Sequence, residues 1–173
     1  MSEVKEPSTD ARVRTIRWVD PDELGERARS MSGLDLLRAI ANGQLPTPPV
    51  MELLGIRLTA IEPSHAVFEF DPAEYMYSPL QTVHGGILTT LLDSAMGCAF
   101  HTTLPAGVSY TTLELSVNFV RPVTDKTGSV SADARVVHGG NTVGTVEARL
   151  TDRSGKLHAH AKSTLLVLRP PED

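Results

Sequence analysis

The stretch HGGILTTLLDSAMGC, residues 84 to 98 of a 173-residue chain, concentrates the groups best placed to do chemistry. Two glycines open an apolar run, and one carboxylate, Asp93, sits inside it. Leu88, Leu91, Leu92, Ala95, Met96, Ala99 and Phe100 recur at i, i+3, i+4 and i+7, which predicts a helix from about Ile87 with one apolar face. The other face carries Gly86, Thr89, Thr90, Asp93 and Gly97, small or polar residues that let a second backbone come close. Gly85 and Gly86 stand at the N-terminus, where backbone N–H groups lack internal acceptors and the macrodipole is positive. With no side chain over them, those donors are open to an anion or oxyanion. Asp93 admits two readings. It is either a carboxylate satisfied in the core by a threonine or a backbone amide, or a catalytic carboxylate tuned by partial burial.

Spacing constrains the second reading. Asp93 lies eight residues beyond Gly85, about 12 Å along a helix. Oxyanion donors and the attacking group must both come within ~3 Å of the reacting atom. One aspartate side chain cannot bridge that gap. If both groups act, Gly85 of one subunit faces Asp93 of another, which predicts a homodimer with shared active sites.

Other candidate residues point to less. The six histidines pair with no cysteine or acid at a metal-ligand spacing, so no metal site is expected. His158 and His160 share a strand face and suit an edge or interface better than a ligand pair. Cys98 reads as a small core residue, because no activating base can be placed beside it. Arg121 is either a solvated charge or a phosphate contact. Met76 and Tyr77 either line a pocket or pack in the core.

The elements that position this stretch follow from periodicity and turn residues. Asp20-Pro21 predicts a helix start running to about Ser30. Ser32 and Asp35 resemble a capping pair before a second short helix that stops at Gly43. LPTPP, residues 45 to 49, reads as a stiff linker. Residues 54 to 61 and 65 to 70 predict strands joined across Glu62-Pro63-Ser64. In TTLELSVNFV, Leu113, Leu115, Val117 and Phe119 alternate with Thr112, Glu114, Ser116 and Asn118, a strand with one buried face. Strands near 129 to 137, 142 to 151 and 156 to 167 follow, with turns at HGGN and Asp152-Arg153-Ser154-Gly155. One helix across one face of an antiparallel sheet makes an α+β domain.

Composition sets outer limits. The length fits one domain with an appendage: an extension over 1 to 49, partly disordered before about residue 15, a domain over 50 to 169, and a tail over 170 to 173. The net charge of -5 and the lack of a basic stripe argue against nucleic acid. MSEVKEPSTDARVR has no apolar signal segment, no run reaches the ~18 residues of a membrane span, and a lone cysteine suits a reducing compartment. A cytoplasmic protein without membrane association is expected.

VHGGILTTLLDSAMGCAFHTTL, followed by TTLELSVNFVRPV, resembles the hotdog-fold acyl-CoA thioesterases of the phenylacetyl-CoA (PaaI-like) type, over about Met51 to Leu168. The lead-in SGLDLLRAIANGQLPTPPV is similar to the N-terminal extension of some bacterial members. The resemblance implies a long central helix wrapped by an antiparallel sheet, in dimers and often dimers of dimers. It implies hydrolysis of an acyl-CoA thioester without metal or other cofactor. Asp93 would be nucleophile or general base, the Gly85 amide would polarise the carbonyl, His84 would order the loop, and Thr112 would position the aspartate or the water. Val83, Gly86 and Arg121 would join the substrate site.

The chain also departs from that pattern. Ser78 and Gln81 stand where members commonly have asparagine and glycine, which leaves either residue to supply a substitute polar contact. Gly139-Gly140-Asn141 occupies a turn where many members carry an arginine, a candidate phosphate contact. A hotdog hydratase or dehydratase using His84 and Asp93, and a non-catalytic acyl-CoA-binding protein, are the alternatives. The acyl group, aromatic or medium-chain, is suggested by analogy alone.

Overall fold

The computed structural model describes residues 11 to 170. The expected disorder before residue 15 falls mainly outside that range. Within it, Arg14 stacks over the Tyr75 ring, 4.1 Å from its centroid, and Arg12 pairs with Glu74 at 2.8 Å.

Four helices form. α1 (Pro21–Ala28) is capped by the Asp20 carboxylate, which accepts from the Asp22 N–H, with proline at its start. α2 (Gly33–Ala41) is capped by the Ser32 hydroxyl, which accepts from the Asp35 N–H. α3 (Pro49–Leu54) differs from expectation. The proline run is no plain spacer: Pro48 stands at the N-cap position without a side-chain cap, and Pro49 occupies the first turn, where the missing N–H costs nothing. Gly55 ends it in the left-handed conformation at φ 68°. The first strand therefore begins at residue 57 and not at 54. α4 (Gly85–His101) is the long helix, starting two residues before the apolar pattern does.

Among the described residues six strands make one sheet: β1 (Arg57–Glu62), β2 (His65–Phe70), β3 (Ser109–Phe119), β4 (Val130–Gly139), β5 (Val143–Asp152) and β6 (Leu157–Leu168). Their order is β1-β2-β4-β5-β6-β3, and every neighbouring pair is antiparallel. α4 lies across one face of it, touching β2 through β6. Leu91, Leu92, Ala95, Met96, Ala99 and Phe100 lose all solvent contact in a core shared with Phe68, Phe70, Leu150 and Leu165. This is the expected α+β arrangement of a sheet around one long helix.

β3 corrects one expectation in a way that matters for the site. Its pairing with β6 slips between Thr112 and Glu114, a bulge that leaves Leu113 without a partner. Thr112 pairs with Leu165, Leu115 with Ser163, Val117 with Ala161 and Phe119 with Ala159, all buried positions of β6. A bulge inserts one residue and so reverses the alternation beyond it. Thr112 thereby joins Leu115, Val117 and Phe119 on the helix side, while Leu113 turns outward and is 57% exposed. Gly97 of α4 matches this strand, since a Cβ there would collide with the Tyr110 hydroxyl.

The lead-in is docked on the domain. Gly33 donates its N–H to the Leu104 carbonyl at 3.1 Å and sits so near the His101 backbone that a Cβ has no room. Leu36, Leu37, Ala39, Ile40 and Leu45 form a second buried cluster against Leu58 and Ile61, with Cys98 touching both clusters. Burial, helped by the charge of Asp93, pushes the Cys98 thiol up to about 12. It stays protonated and unreactive at neutral pH, as a core residue should. Among the described residues no helix is long and apolar enough to cross a membrane.

Candidate functional site

The N-terminus of α4 is organised by its cap. His84 Nδ1 accepts from the Gly86 N–H at 2.9 Å, and the His84 carbonyl accepts from Ile87 at 2.9 Å. The His84 N–H is itself spent on the Met76 carbonyl at 2.8 Å. Gly86 is thereby excluded as an oxyanion donor. Gly85 keeps its N–H without an acceptor among the described residues. His84 orders the turn, and because Nδ1 accepts, its proton is on Nε2.

That free donor opens into a cleft of about 480 Å³. Ser78, Leu80, Val83 and His84 form one side of it, with Gly85 at the helix end and residues 119 to 123 opposite. The Phe119 ring lies over Gly85, 3.3 Å from where a Cβ would stand. This apolar lid over the donor was absent from the sequence-based candidates, because the spacing within β3 puts Phe119 on the buried face and does not show which segment it meets. Arg121 lines the same cleft and donates to the Leu157 carbonyl at 2.6 Å.

Asp93 lies mid-helix on the side facing β3. Its Oδ1 accepts from the Thr112 hydroxyl at 3.1 Å. A single hydroxyl leaves most of a carboxylate's acceptor capacity unused, so the residue is held and oriented without being fully satisfied. Thr89 and Thr90 spend their hydroxyls on the Gly85 and Gly86 carbonyls, both at 2.9 Å, and so brace the helix start. Gly85 and Asp93 belong to one unbroken helix, which keeps them about 12 Å apart within a chain.

The remaining candidates are distributed as follows. Ser78 lines the cleft, but its hydroxyl accepts from the Leu80 N–H at 3.3 Å and its backbone closes a tight loop with Thr82. Gln81 is exposed, does not line the cleft, and holds φ at 59°. That conformation is free to glycine and strained for glutamine, which makes Gln81 a backbone departure first of all. Gly139, Gly140 and Asn141 form the β4–β5 turn, closed by the Gly140 N–H on the Val143 carbonyl. The neighbouring Gly144 packs on Phe100, placing this turn at the C-terminal end of α4, away from Gly85. Met76 is core, and Tyr77 bonds the Asp125 carboxylate at 2.7 Å; neither lines the cleft.

A buried clamp holds the far wall of the cleft. The Val120 and Arg121 N–H groups donate to the His158 carbonyl, at 2.8 and 3.1 Å. The His158 ring, buried while His160 is exposed, bridges the Pro122 carbonyl and the Asp152 carboxylate at 3.1 and 3.2 Å. The Ser154 hydroxyl, then His158 and the Lys156 and Ser154 N–H groups, hold the Asp152 carboxyl well below the usual range. A carboxyl depressed in the folded state adds stability above its ordinary value of ~3.9, and that stability is lost as pH falls towards the folded value. Acid unfolding followed by circular dichroism should therefore begin at higher pH in Asp152→Asn than in the parent. Identical acid limbs would remove the clamp from the account.

Among the described residues no group of three histidine, cysteine or acidic side chains could hold a metal ion. Sequence comparison finds a match to the Thioesterase superfamily over residues 80–159, a span that includes the HGG segment, Asp93 and Thr112. A 1,4-dihydroxy-2-naphthoyl-CoA hydrolase of Listeria monocytogenes is 25% identical over 118 residues, 68% of this chain and 94% of the relative. A thioesterase family protein from Silicibacter pomeroyi superposes with a TM-score of 0.68 at 26% identity, covering 78% of this chain and 96% of the other. The PaaI protein of the Escherichia coli phenylacetic acid degradation operon reaches the same TM-score at 23% identity, over 80% and 96% of the two chains. That last likeness is one of fold alone.

Proposed function

The chain belongs to the thioesterase superfamily and has its hotdog fold, and from that premise we propose that it hydrolyses an acyl-CoA thioester to the free acid and CoA. The observation that carries the proposal is the presence on one helix of two half-sites: the unbonded Gly85 N–H and the Thr112-held Asp93. In the reaction the thioester carbonyl points at Gly85 of one subunit, and Asp93 of the other attacks the carbon or takes a proton from the water that does. Negative charge grows on the carbonyl oxygen as the new C–O bond forms. A fixed amide at a positively polarised helix end stabilises that charge without reorganising. The tetrahedral adduct then expels CoA as its thiolate, which takes up a proton. Attack by water gives the free acid directly, whereas attack by Asp93 leaves a mixed anhydride that water cleaves to the acid and the Asp93 carboxylate.

The shared site requires a homodimer, and the edge of the sheet supplies a surface for one. β3 ends the sheet, and Leu113, Phe119 and Val120 on or beside it are each at least half exposed. An unpaired strand edge is a template for a second strand. In this reading two copies join their sheets through β3, and the dimers pair again as the family resemblance implies. His84 Nδ1 caps the turn at the start of α4, the loop-ordering part it has in a hydrolase, and the enoyl-hydration arm of the assay below separates this reading from a hydratase. No metal or further cofactor enters the scheme.

The test is a thiol-release assay across short-chain, medium-chain and aromatic acyl-CoAs, run beside enoyl hydration on a matched substrate. Thiol release from at least one acyl group is the expected result. Hydration without thiol release, or neither, rejects the proposal.

A further inference from the structure

Residues 119 to 123 form the far wall of the Gly85 cleft, yet from Val120 on they belong to no helix or strand. They are pinned instead to the start of β6. The Val120 and Arg121 N–H groups donate to the His158 carbonyl, the His158 ring meets the Pro122 carbonyl through Nδ1, and the Arg121 guanidinium donates to the Leu157 carbonyl. The buried His158 ring is fixed from its other side by Asp152 Oδ2, 3.2 Å from Nε2. Asp152 Oδ1 is tied to the β5–β6 turn, accepting from the Ser154 hydroxyl at 2.6 Å and from the Ser154 and Lys156 N–H groups at 2.8 and 3.0 Å. A carbonyl and a carboxylate both only accept, so the ring serves the two with N–H groups in its doubly protonated form.

The pinned wall reaches the oxyanion donor at both of its ends. At one end the Phe119 ring lies over Gly85. At the other the fully buried Val123 accepts, through its carbonyl, from the Val83 N–H at 2.9 Å. Val83 precedes His84, whose ring caps the turn that presents the Gly85 N–H. We propose that His158 is a positioning residue for the hydrolysis: through residues 119 to 123 it sets where the Gly85 N–H and the Phe119 ring stand relative to the reacting carbonyl. The proposal deepens the functional reading above and rests on it. The ring itself does not line the cleft, so its effect on the chemistry passes through the wall. Small shifts matter there, because an oxyanion donor acts only within about 2.7 to 3.1 Å and a misplacement of ~1 Å costs about 10²-fold. Histidine suits the task, since a flat ring with an N–H on either side ties a loop carbonyl to a turn carboxylate.

The test compares His158→Leu with Asp152→Asn in the full chain, well below the melting temperature of each. Leucine fills the buried space and breaks both ring bonds. Asparagine keeps an oxygen for Ser154 and Lys156 and offers an N–H to Nε2 of a singly protonated ring, so the clamp persists. In His158→Leu kcat should fall by about 10- to 100-fold with KM unchanged, the mark of a contact made only in the transition state. Asp152→Asn should retain most of the parent's kcat. Should His158→Leu not fold, Asp152→Ala takes its place, with a smaller loss of kcat that asparagine restores. An unaltered kcat in the clamp-breaking variant, a change confined to KM, or equal losses in Asp152→Ala and Asp152→Asn overturns the proposal. Amide NMR gives a readout that needs no turnover. The Val83 and Gly85 cross-peaks should move in the clamp-breaking variant and stay in place in Asp152→Asn. If the parent hydrolyses no thioester, the functional reading fails, and these shifts still decide whether His158 holds Gly85. Unmoved cross-peaks overturn that hold whatever the activity.

Discussion

Asp93→Asn should lower acyl-CoA hydrolysis by about 10²- to 10⁴-fold, the range that a positioned general base contributes, and leave the fold intact. The substitution keeps the shape of the side chain and an oxygen that can accept from the Thr112 hydroxyl, 3.1 Å away in the parent. It removes the negative charge and the basic lone pairs. Neither a covalent route through a mixed anhydride nor base-assisted attack by water survives that loss. Melting temperature should shift by no more than a degree or two, since no buried apolar contact changes and the local hydrogen bond persists. Thr112→Val should cause a smaller loss by freeing the carboxylate to rotate, and Thr112→Ser should restore activity. Wild-type turnover by Asp93→Asn on every acyl-CoA tested would make Asp93 a satisfied helix carboxylate and leave the site without a base. For the parent, label found in the Asp93 carboxyl after single-turnover reaction in ¹⁸O-labelled water would establish the covalent route, because solvent oxygen reaches that carboxyl only when water opens an anhydride at Asp93.

The parts of this site that were legible in the sequence are those set by local rules. The 3.6-residue spacing from Leu88 to Phe100 marks the helix, His84-Gly85-Gly86 marks its open end, and the turn residues around 140 and 154 mark the hairpins. Asp93 stood out because it is charged inside an apolar run. The bulge at Leu113 was not legible. Apolar and polar residues alternate without a break through Thr112-Leu113-Glu114-Leu115, and an inserted residue leaves no trace in that pattern. Only pairing with β6 reveals that Leu113 is the odd residue, and that Thr112 therefore faces Asp93. The Phe119 lid and the clamp of His158 on Asp152 and Pro122 depend on contacts between segments over 30 residues apart in the first case and on a turn meeting a strand end in the second. The proline run misled because Pro48-Pro49 serves equally as a stiff spacer and as the start of a helix, and Gly55 beyond Leu54 decides between them.

Gly85→Pro should fold and yet lose about 10²- to 10³-fold in kcat, as expected when one oxyanion donor is deleted. Proline is tolerated at this position for three local reasons. Gly85 is the first residue of α4, where an N–H has no helical acceptor to lose. His84, which precedes it, already holds φ -60° and ψ 132°, within the extended region that a following proline demands. Beyond the adjacent residues, an added Cβ would meet only the Phe119 ring, whose side chain borders an open cleft and can shift. The variant therefore replaces the donor hydrogen with ring carbon while the helix stays in place. Its decisive use is in combination. If each site takes Gly85 from one subunit and Asp93 from the other, a mixed dimer of Gly85→Pro with Asp93→Asn contains one site with both defects and one with neither. Co-refolding equal amounts of the two inactive variants makes half of the dimers mixed when pairing is random. About a quarter of parental activity should then return, because half of the dimers each regain one of two sites. If Gly85 and Asp93 served the same substrate within one chain, every site in the mixture would carry a defect and no activity would return. The same mixture thus tests the distance along α4, the pairing through β3 and the separate duties of Gly85 and Asp93.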